Sequence, residues 1–315
     1  MKVLFSVIIP HYNDIDGLSR LLKSIPLEDA IQVIVVDDNS TNIDFSSLEM
    51  LCNDYNASLF KNTSANKGAG ACRNIALSNA KGERLIFADA DDFFTDGAFD
   101  VIKNTVKKPE AENVDVIYFS PTSIYSDTGE LANRHVPYEE LVDKYIKCQD
   151  QAIRYQYFVP WSKVIRKDFV EQNTISFDEV IASNDVMFAT KAGSLAKQIF
   201  VSSDTIYCVT RQKGSLTTKT NNYVRNTRLE VLIRYNEYLY RLNMKQYQDS
   251  FYGIVKEYFK AMDSGSFKAL VRLAATGKIP VLPRTYSQYL TSPSTLLKRL
   301  SNKKVSHHKD KKYLD

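Results

Sequence analysis

LIFADADDFF, residues 85–94, sets a run of apolar side chains directly against three carboxylates. Leu85 to Ala88 has the length and composition of a buried strand, and Asp89, Asp91 and Asp92 follow at its carboxyl end. Like charges that close repel unless something positive lies between them. A divalent cation meets that need, and hard oxygen ligands suit magnesium, manganese or calcium. The plainer reading is that Asp91 or Asp92 caps the following helix or closes an Asx turn, and this stretch alone leaves both open.

The flanking sequence explains why such an edge should exist. Val3 to Ile9 and Ile31 to Val36 are further strand-like runs, and Ser58 to Lys61 is a weaker third. Between them Leu18, Leu21, Leu22 and Ile25 recur at helical spacing behind Asp16, a candidate N-cap, and Gly68 to Ala80 reads as a helix after a glycine-containing loop. Another helix is expected from about Gly97 to Val106, and another strand at Val114 to Ser120. Apolar strands alternating with helices predict an α/β fold around a mostly parallel sheet covered on both faces. Ligands of such sheets bind outside the carboxyl ends of the strands. Here those ends carry Pro10, His11, Tyr12 and Asn13, then Asp37 and Asp38, then the Asp89 cluster.

Beyond Ser120 the alternation fades. SDTG at 126–129 predicts a hairpin turn, Lys163 to Glu171 and Asn184 to Ala196 read as helices, and Ile199 to Thr210 as a strand. From Tyr223 the pattern is helical, which puts a soft boundary near Thr220. The expected organisation is a main domain at 1–220, in two halves of about 1–110 and 111–220. A helical appendage at 221–315 follows and ends in a basic tail.

Composition bounds the rest. The 315 residues, 44% hydrophobic and 25% charged, carry a net charge of +4, too mild to argue for nucleic acid. The excess sits in the tail, where Lys298, Arg299, Lys303, Lys304, Lys309, Lys311 and Lys312 face only Asp310 and Asp315. Such a tail suits an anionic membrane surface, with Leu296, Leu297 and Leu300 adding apolar contact, or is a solvated terminus. Cys52, Cys72, Cys148 and Cys208 are scattered, so neither zinc nor a disulfide framework is indicated, and free thiols suit the cytoplasm. The opening MKVLFSVIIPHYND reads as a strand rather than a leader, and no window reaches transmembrane length.

The loop SANKGAGACRN, residues 64–74, supplies cations opposite the acids: Lys67 and Arg73 would offset diphosphate charge, while Gly68 and Gly70 would let the backbone approach a ligand. It is neither a dinucleotide fingerprint nor a P-loop. Tyr12 would stack on a base, and an early acid would accept hydrogen bonds from base or ribose. The histidines show no ligand spacing and receive no role.

Taken in order, SVIIPHYND, VIVVDDNST, NKGAGACRN and LIFADADDFF resemble the amino-terminal half of family 2 glycosyltransferases with the GT-A fold, of the bacterial surface-polysaccharide type. The likeness continues through PWSKVIRKDFV, FDEVIASNDVMF and IYCVTRQKGSLT, to about residue 217. It implies an inverting enzyme that moves a sugar from a nucleotide donor, a UDP-sugar, to a hydroxyl of a glycan or lipid-linked glycan at the inner face of the membrane. It implies Asp91 and Asp89 at a Mn2+ or Mg2+ ion on the diphosphate, and Asp38 at the uracil with Pro10 and Tyr12 lining its pocket. It implies Asp185 as catalytic base, preceded by Asn184 on the acceptor-binding side where the family usually has Glu, and Arg211 in a loop near the diphosphate. Asp185 also suits a helix N-cap. Trp161, the single tryptophan, is a candidate sugar platform on the acceptor side and equally a core residue. Two other classes fit the acids: a nucleotidyltransferase, which would hold a basic glycine-rich loop after the first strand where HYNDIDG has none, and an inactive binding scaffold.

Overall fold

The computed structural model describes residues 2–211, 222–259 and 262–283, which fall into two compact units divided between Val231 and Leu232. The boundary expected near Thr220 and the basic tail both lie outside the described residues.

In the first unit, strands β1 (Phe5–His11), β2 (Ile31–Asp37), β3 (Ala57–Lys61) and β4 (Arg84–Phe87) alternate with helices α1 (Ile15–Lys23), α2 (Phe45–Asp54) and α3 (Ala69–Asn79). Then come β5 (Phe93–Phe94), α4 (Ala98–Val106), β6 (Val116–Tyr125), α5 (Val136–Cys148), α6 (Ala152–Gln156), β7 (Lys163–Arg166), α7 (Lys167–Gln172), α8 (Val186–Leu195) and β8 (Ile199–Arg211). The eight strands form one sheet in the order β3-β2-β1-β4-β7-β6-β8-β5. Pairing is parallel except on both sides of β7 and at β5. Because β1, β2, β3 and β4 are parallel neighbours joined by helical crossovers, their carboxyl ends share one edge.

The strands form where β-branched runs can be buried on both faces: Val7, Ile8 and Ile9 of β1 and Ile34, Val35 and Val36 of β2 are fully enclosed. Helix α1 buries Leu18, Leu21 and Leu22 and is capped by Asp14, whose carboxylate accepts from Gly17 N, and not by Asp16 as the sequence suggested. The correction follows from reach, since Asp16 already lies in the first helical turn. Lys163 to Glu171 is likewise not one helix. Its first four residues are β7, held antiparallel between β4 and β6, and the helix begins only at Lys167. The expected turn at 126–129 is present, with Gly129 at φ +69° and its N–H bonded to Tyr125 O.

The second unit contains the end of α9 (Asn222–Arg241), a 3-10 turn at Lys245–Tyr247, α10 (Phe251–Tyr258) and α11 (Ser264–Ala275), around Tyr235, Leu239, Ile254, Leu270, Leu273 and Ile279. Among the described residues no helix is long and apolar enough to cross a membrane. All four cysteines are free thiols.

Candidate active site

The edge formed by β1, β2 and β4 is held together before any ligand arrives. His11 at the end of β1 is fully buried, and its Nδ1 lies 2.9 Å from Asp37 Oδ1 at the end of β2. Its Nε2 accepts the N–H of Asp14, which puts the proton on Nδ1. Asp37 also takes the N–H and hydroxyl of Ser40, and Asn13 bonds across to Thr41 and Asn42. Asp37 and His11 are thus consumed in fixing two loops.

That leaves Asp38 facing the site. Its two oxygens accept Asn62 Nδ2 at 2.6 Å and the N–H of Gly68 at 2.8 Å, so the carboxylate is aimed from both sides. Gly68 is at φ +112°, a conformation that suits glycine and lets the loop present its N–H. Tyr12 is 53% exposed at the same edge, Pro10 is half-buried beside it, and Lys67 is exposed.

Arg73 connects this half to the next. Its guanidinium is 4% exposed, donates through Nη2 to Asp89 and through Nη1 to Asn184 Oδ1 at 2.8 Å, and lies 5.2 Å over the Phe177 ring. Its Nε is buried without a partner. Phe87, at the end of β4, meets Phe177 at 5.2 Å and Phe188 at 5.3 Å, and these two stack at 3.9 Å. Each buried ring contributes about 1.5–3 kcal/mol of hydrophobic stabilisation, and together they clamp the start of α8 onto the end of β4. Asn184 and Asp185 are carried to Asp89 by that clamp.

Asp185 occupies the N-cap position of α8, yet its side chain makes no cap hydrogen bond. Burial raises its pKa above the ordinary carboxylate range; Arg73 opposes the rise and Asp89 adds to it. Lys163 is a neighbour that the sequence reading missed. It is 2% exposed on β7, its Nζ donates to Tyr157 O at 2.6 Å and Val159 O at 2.8 Å, and burial lowers its pKa to about 7 against the pull of Asp185.

The three acids of 89–92 have separate lives. Asp92 is 2% exposed and accepts Tyr207 Oη at 2.9 Å and Thr210 N at 2.8 Å, so it is a structural anchor. Asp89 is partly open and held by Arg73. Asp91 has an open side, yet desolvation, followed by the charge of Asp89, raises its pKa to about 6. The described residues hold no group of three His, Cys, Asp or Glu side chains arranged for a metal. Two hard carboxylates whose charges disfavour each other do fit Mg2+ or Mn2+, which complete their shells with phosphate oxygens and water.

Trp161 is packed in the core rather than at this edge. It is 3% exposed and stacks on Tyr207 at 5.7 Å with Tyr138 edge-on at 5.1 Å, so its ring faces are taken by the core and offer no open platform for a sugar. Arg211 ends β8 and donates to Asn133 Oδ1, while the loop expected after it, with Lys213 and Ser215, lies outside the described residues. Glu179, also missed, accepts from Ser64, Asn66 and Asn74 and ties the loop before α8 to the loop before α3. Neither His11 nor Glu179 has a signal in local spacing, because their partners lie 26 and about a hundred residues away.

Comparison with known proteins decides the family. The family model for glycosyl transferase family 2 matches residues 6–174, more than half of the chain. The chain belongs to glycosyltransferase family 2. It is 28% identical over 216 residues to the poly(ribitol-phosphate) beta-N-acetylglucosaminyltransferase TarS of Staphylococcus aureus, covering 67% of this chain and 36% of TarS. It is 30% identical over 230 residues to the poly(ribitol-phosphate) beta-glucosyltransferase of Bacillus spizizenii, covering 66% of this chain and 32% of the relative. The chain therefore spans about a third of the length of these curated relatives. The crystal structure of S. aureus TarS 1-349 in complex with UDP-GlcNAc superposes with a TM-score of 0.62 at 23% identity, covering 83% of this chain and 72% of that one. The mannosyltransferase PcManGT of Pyrobaculum calidifontis, in complex with GDP-Man and Mn2+, gives a TM-score of 0.52 at 17% identity, over 99% and 88%. The fold of this family 2 enzyme is GT-A. Membership in a glycosyltransferase family also sets aside the nucleotidyltransferase reading.

Proposed function

We propose that this glycosyltransferase moves a sugar from a UDP-sugar to a hydroxyl of a surface polysaccharide or its lipid-linked precursor, with inversion and with the help of a divalent cation. The observation that carries the proposal is the placement of Asp185: a half-buried carboxylate that leaves its helix uncapped and is joined through Asn184 and Arg73 to Asp89. A base at one end and a diphosphate-binding acid at the other, linked through one buried arginine, is an arrangement that suits a single displacement.

In this scheme Tyr12, Pro10 and Asp38 receive the uracil, with Lys67 beside them. Asp89 and Asp91 hold the cation, which when bound offsets the charge growing on the departing diphosphate. Arg73 keeps Asp89 aimed. Asp185 takes the acceptor proton as the hydroxyl oxygen attacks the anomeric carbon from the face opposite the leaving group. Because the diphosphate is already a good leaving group, no second carboxylate is needed to protonate it, unlike in glycoside hydrolysis. Residues 1–110 would then be the donor half, 111–220 the acceptor side and 221–315 an appendage. Work at the cytoplasmic face of the membrane, on a polymer of the kind named for the two relatives above, fits the free thiols and the basic tail.

The test is Asp185→Asn, with UDP-GlcNAc and UDP-glucose as donors. Binding of UDP with Mn2+ should persist while transfer to poly(ribitol phosphate), or the slow hydrolysis of donor, falls by roughly 10²–10⁴. Unchanged turnover would remove Asp185 from the reaction.

A further inference from the structure

Tyr207 does something that neither packing nor the reaction scheme above accounts for. It is fully buried on β8, with Trp161 stacked on one face at 5.7 Å and 14° and Phe94 edge-on at 5.3 Å. A ring so enclosed has no freedom, and its phenol oxygen is delivered to one place. There it accepts the backbone N–H of Asp89 at 2.8 Å and donates to Asp92 Oδ2 at 2.9 Å. Asp92 passes the restraint on, since its other oxygen accepts the N–H of Thr210 at 2.8 Å. Thr210 in turn donates its hydroxyl to the carbonyl of Asp91, which Arg20 also reaches. The backbones of Asp89 and Asp91 are thus each tied to β8.

We propose that Tyr207, with Asp92 and Thr210, is the positioning device that sets the distance between the Asp89 and Asp91 carboxylates and so makes the loop receptive to a cation and diphosphate. The proposal rests on the metal reading given above and names the residues that prepare it. Two carboxylates forced to share a cation-sized space resist it by mutual repulsion, and a loop with free dihedrals would splay them apart. Hydrogen bonds to the backbone at both positions remove that freedom in advance, which is how supporting residues hold a site within the tolerance that binding requires. The third aspartate of the cluster serves this purpose, and at 2% exposure it cannot itself meet a ligand.

A merely structural Tyr207 predicts a different result from a positioning one, and Tyr207→Phe separates them because the ring and its stack on Trp161 are kept. Trp161 is the only tryptophan in the chain and stacks directly on the residue under test, so its emission is the readout. The full chain and the variant are titrated with Mn2+ in the presence of UDP, and separately with uridine in EDTA, with thermal midpoints recorded without ligand. Tyr207→Phe should raise the Mn2+ midpoint about tenfold or more, the equivalent of roughly 1.4 kcal/mol, while uridine binding at Asp38 and Tyr12 is unchanged. Thr210→Val, on the partly exposed end of β8, should shift the Mn2+ midpoint the same way and serves if Tyr207→Phe fails to fold. Equal Mn2+ midpoints in all three proteins, or a parallel loss of uridine and Mn2+ binding with the thermal midpoint, would overturn the proposal. A wild-type chain that binds uridine but never responds to Mn2+ would overturn the metal reading, and the positioning role with it.

Discussion

Arg73 Nη1 and Asn184 Oδ1 lie 2.8 Å apart, and this one bond joins the helix after the glycine loop to the residue before the candidate base. The same guanidinium holds Asp89, so donor-side and acceptor-side carboxylates move as a unit.

Asn184→Ala takes away the only acceptor for Nη1 among the described residues, in a guanidinium whose Nε already lacks one. An unmet buried donor costs about 1–3 kcal/mol, so the thermal midpoint should fall accordingly. Turnover should fall further than UDP affinity, because the loosened segment carries Asp185 and not the uracil pocket. Asn184→Asp, which keeps an acceptor oxygen, should restore the midpoint. Denaturation curves beside a steady-state kcat for the three proteins settle it.

The pH profile follows from the burial of Asp185. A base works only when ionised, and a pKa raised above the carboxylate range moves the acid limb of kcat to higher pH than a solvent-exposed aspartate would give. Lys163 favours the ionised form while it is itself charged, which its pKa of about 7 limits to the acidic side. Lys163→Met should therefore shift the acid limb toward alkaline pH and leave the rate above pH 8 nearly unchanged. An unshifted limb would show that Asp185 does not titrate in the kinetic step.

How far the sequence reveals this site depends on the range of the interactions involved. Strands β1, β2 and β4 were legible because a short apolar run ending in polar or acidic residues is a local signal, and a parallel sheet puts such ends on one edge. Lys163 to Arg166 was not, because two adjacent apolar residues between two cations fit a helix or a strand equally; its pairing with β4, some eighty residues away, decides the matter. The core position of Trp161 depends on Tyr138, Tyr157 and Tyr207, and the anchoring role of Asp92 on Tyr207 and Thr210, more than a hundred residues on. Spacing within a motif cannot distinguish the acid that faces the ligand from the one that holds the loop.

Asp91 should reveal itself as a stability cost. Its folded pKa of about 6 lies above the ordinary 3.8, so folding takes up a proton between those values. The penalty for ionising it is complete above pH 6 and gone below 3.8, which means stability falls as pH rises through that window. Solvent access at the open side trims the size of the effect. Asp91→Asn should raise the ligand-free thermal midpoint at pH 7.5 by roughly 1–4 °C, with no gain at pH 3.8. With UDP and Mn2+ the order should reverse, as only the wild type gains a cation. Calorimetry at the two pH values, with and without ligand, is the measurement.

Gly70 tests whether the glycine loop and the catalytic loop are one mechanical object. It is buried in the first turn of α3, where alanine would ordinarily gain about 1 kcal/mol of helix propensity. A Cβ at this position, however, would run into the carbonyl oxygen of Asp178 and lie 2.9 Å from Asn184 Cβ. A backbone carbonyl has no rotamer to retreat into, so the segment 178–184 must move as a body and Asp185 with it. Gly70→Ala should therefore destabilise the protein by about 1–3 kcal/mol, the usual cost of overpacking. Transfer should fall at least tenfold, with UDP binding at Asp38 retained, since the Asp38 carboxylate is held by Asn62 and the Gly68 N–H and not by the 178–184 segment. A variant as stable and active as the wild type would mean that this steric contact does not transmit between the two loops, and that the hydrogen bonds of Arg73 and Glu179 relate the base to the donor site.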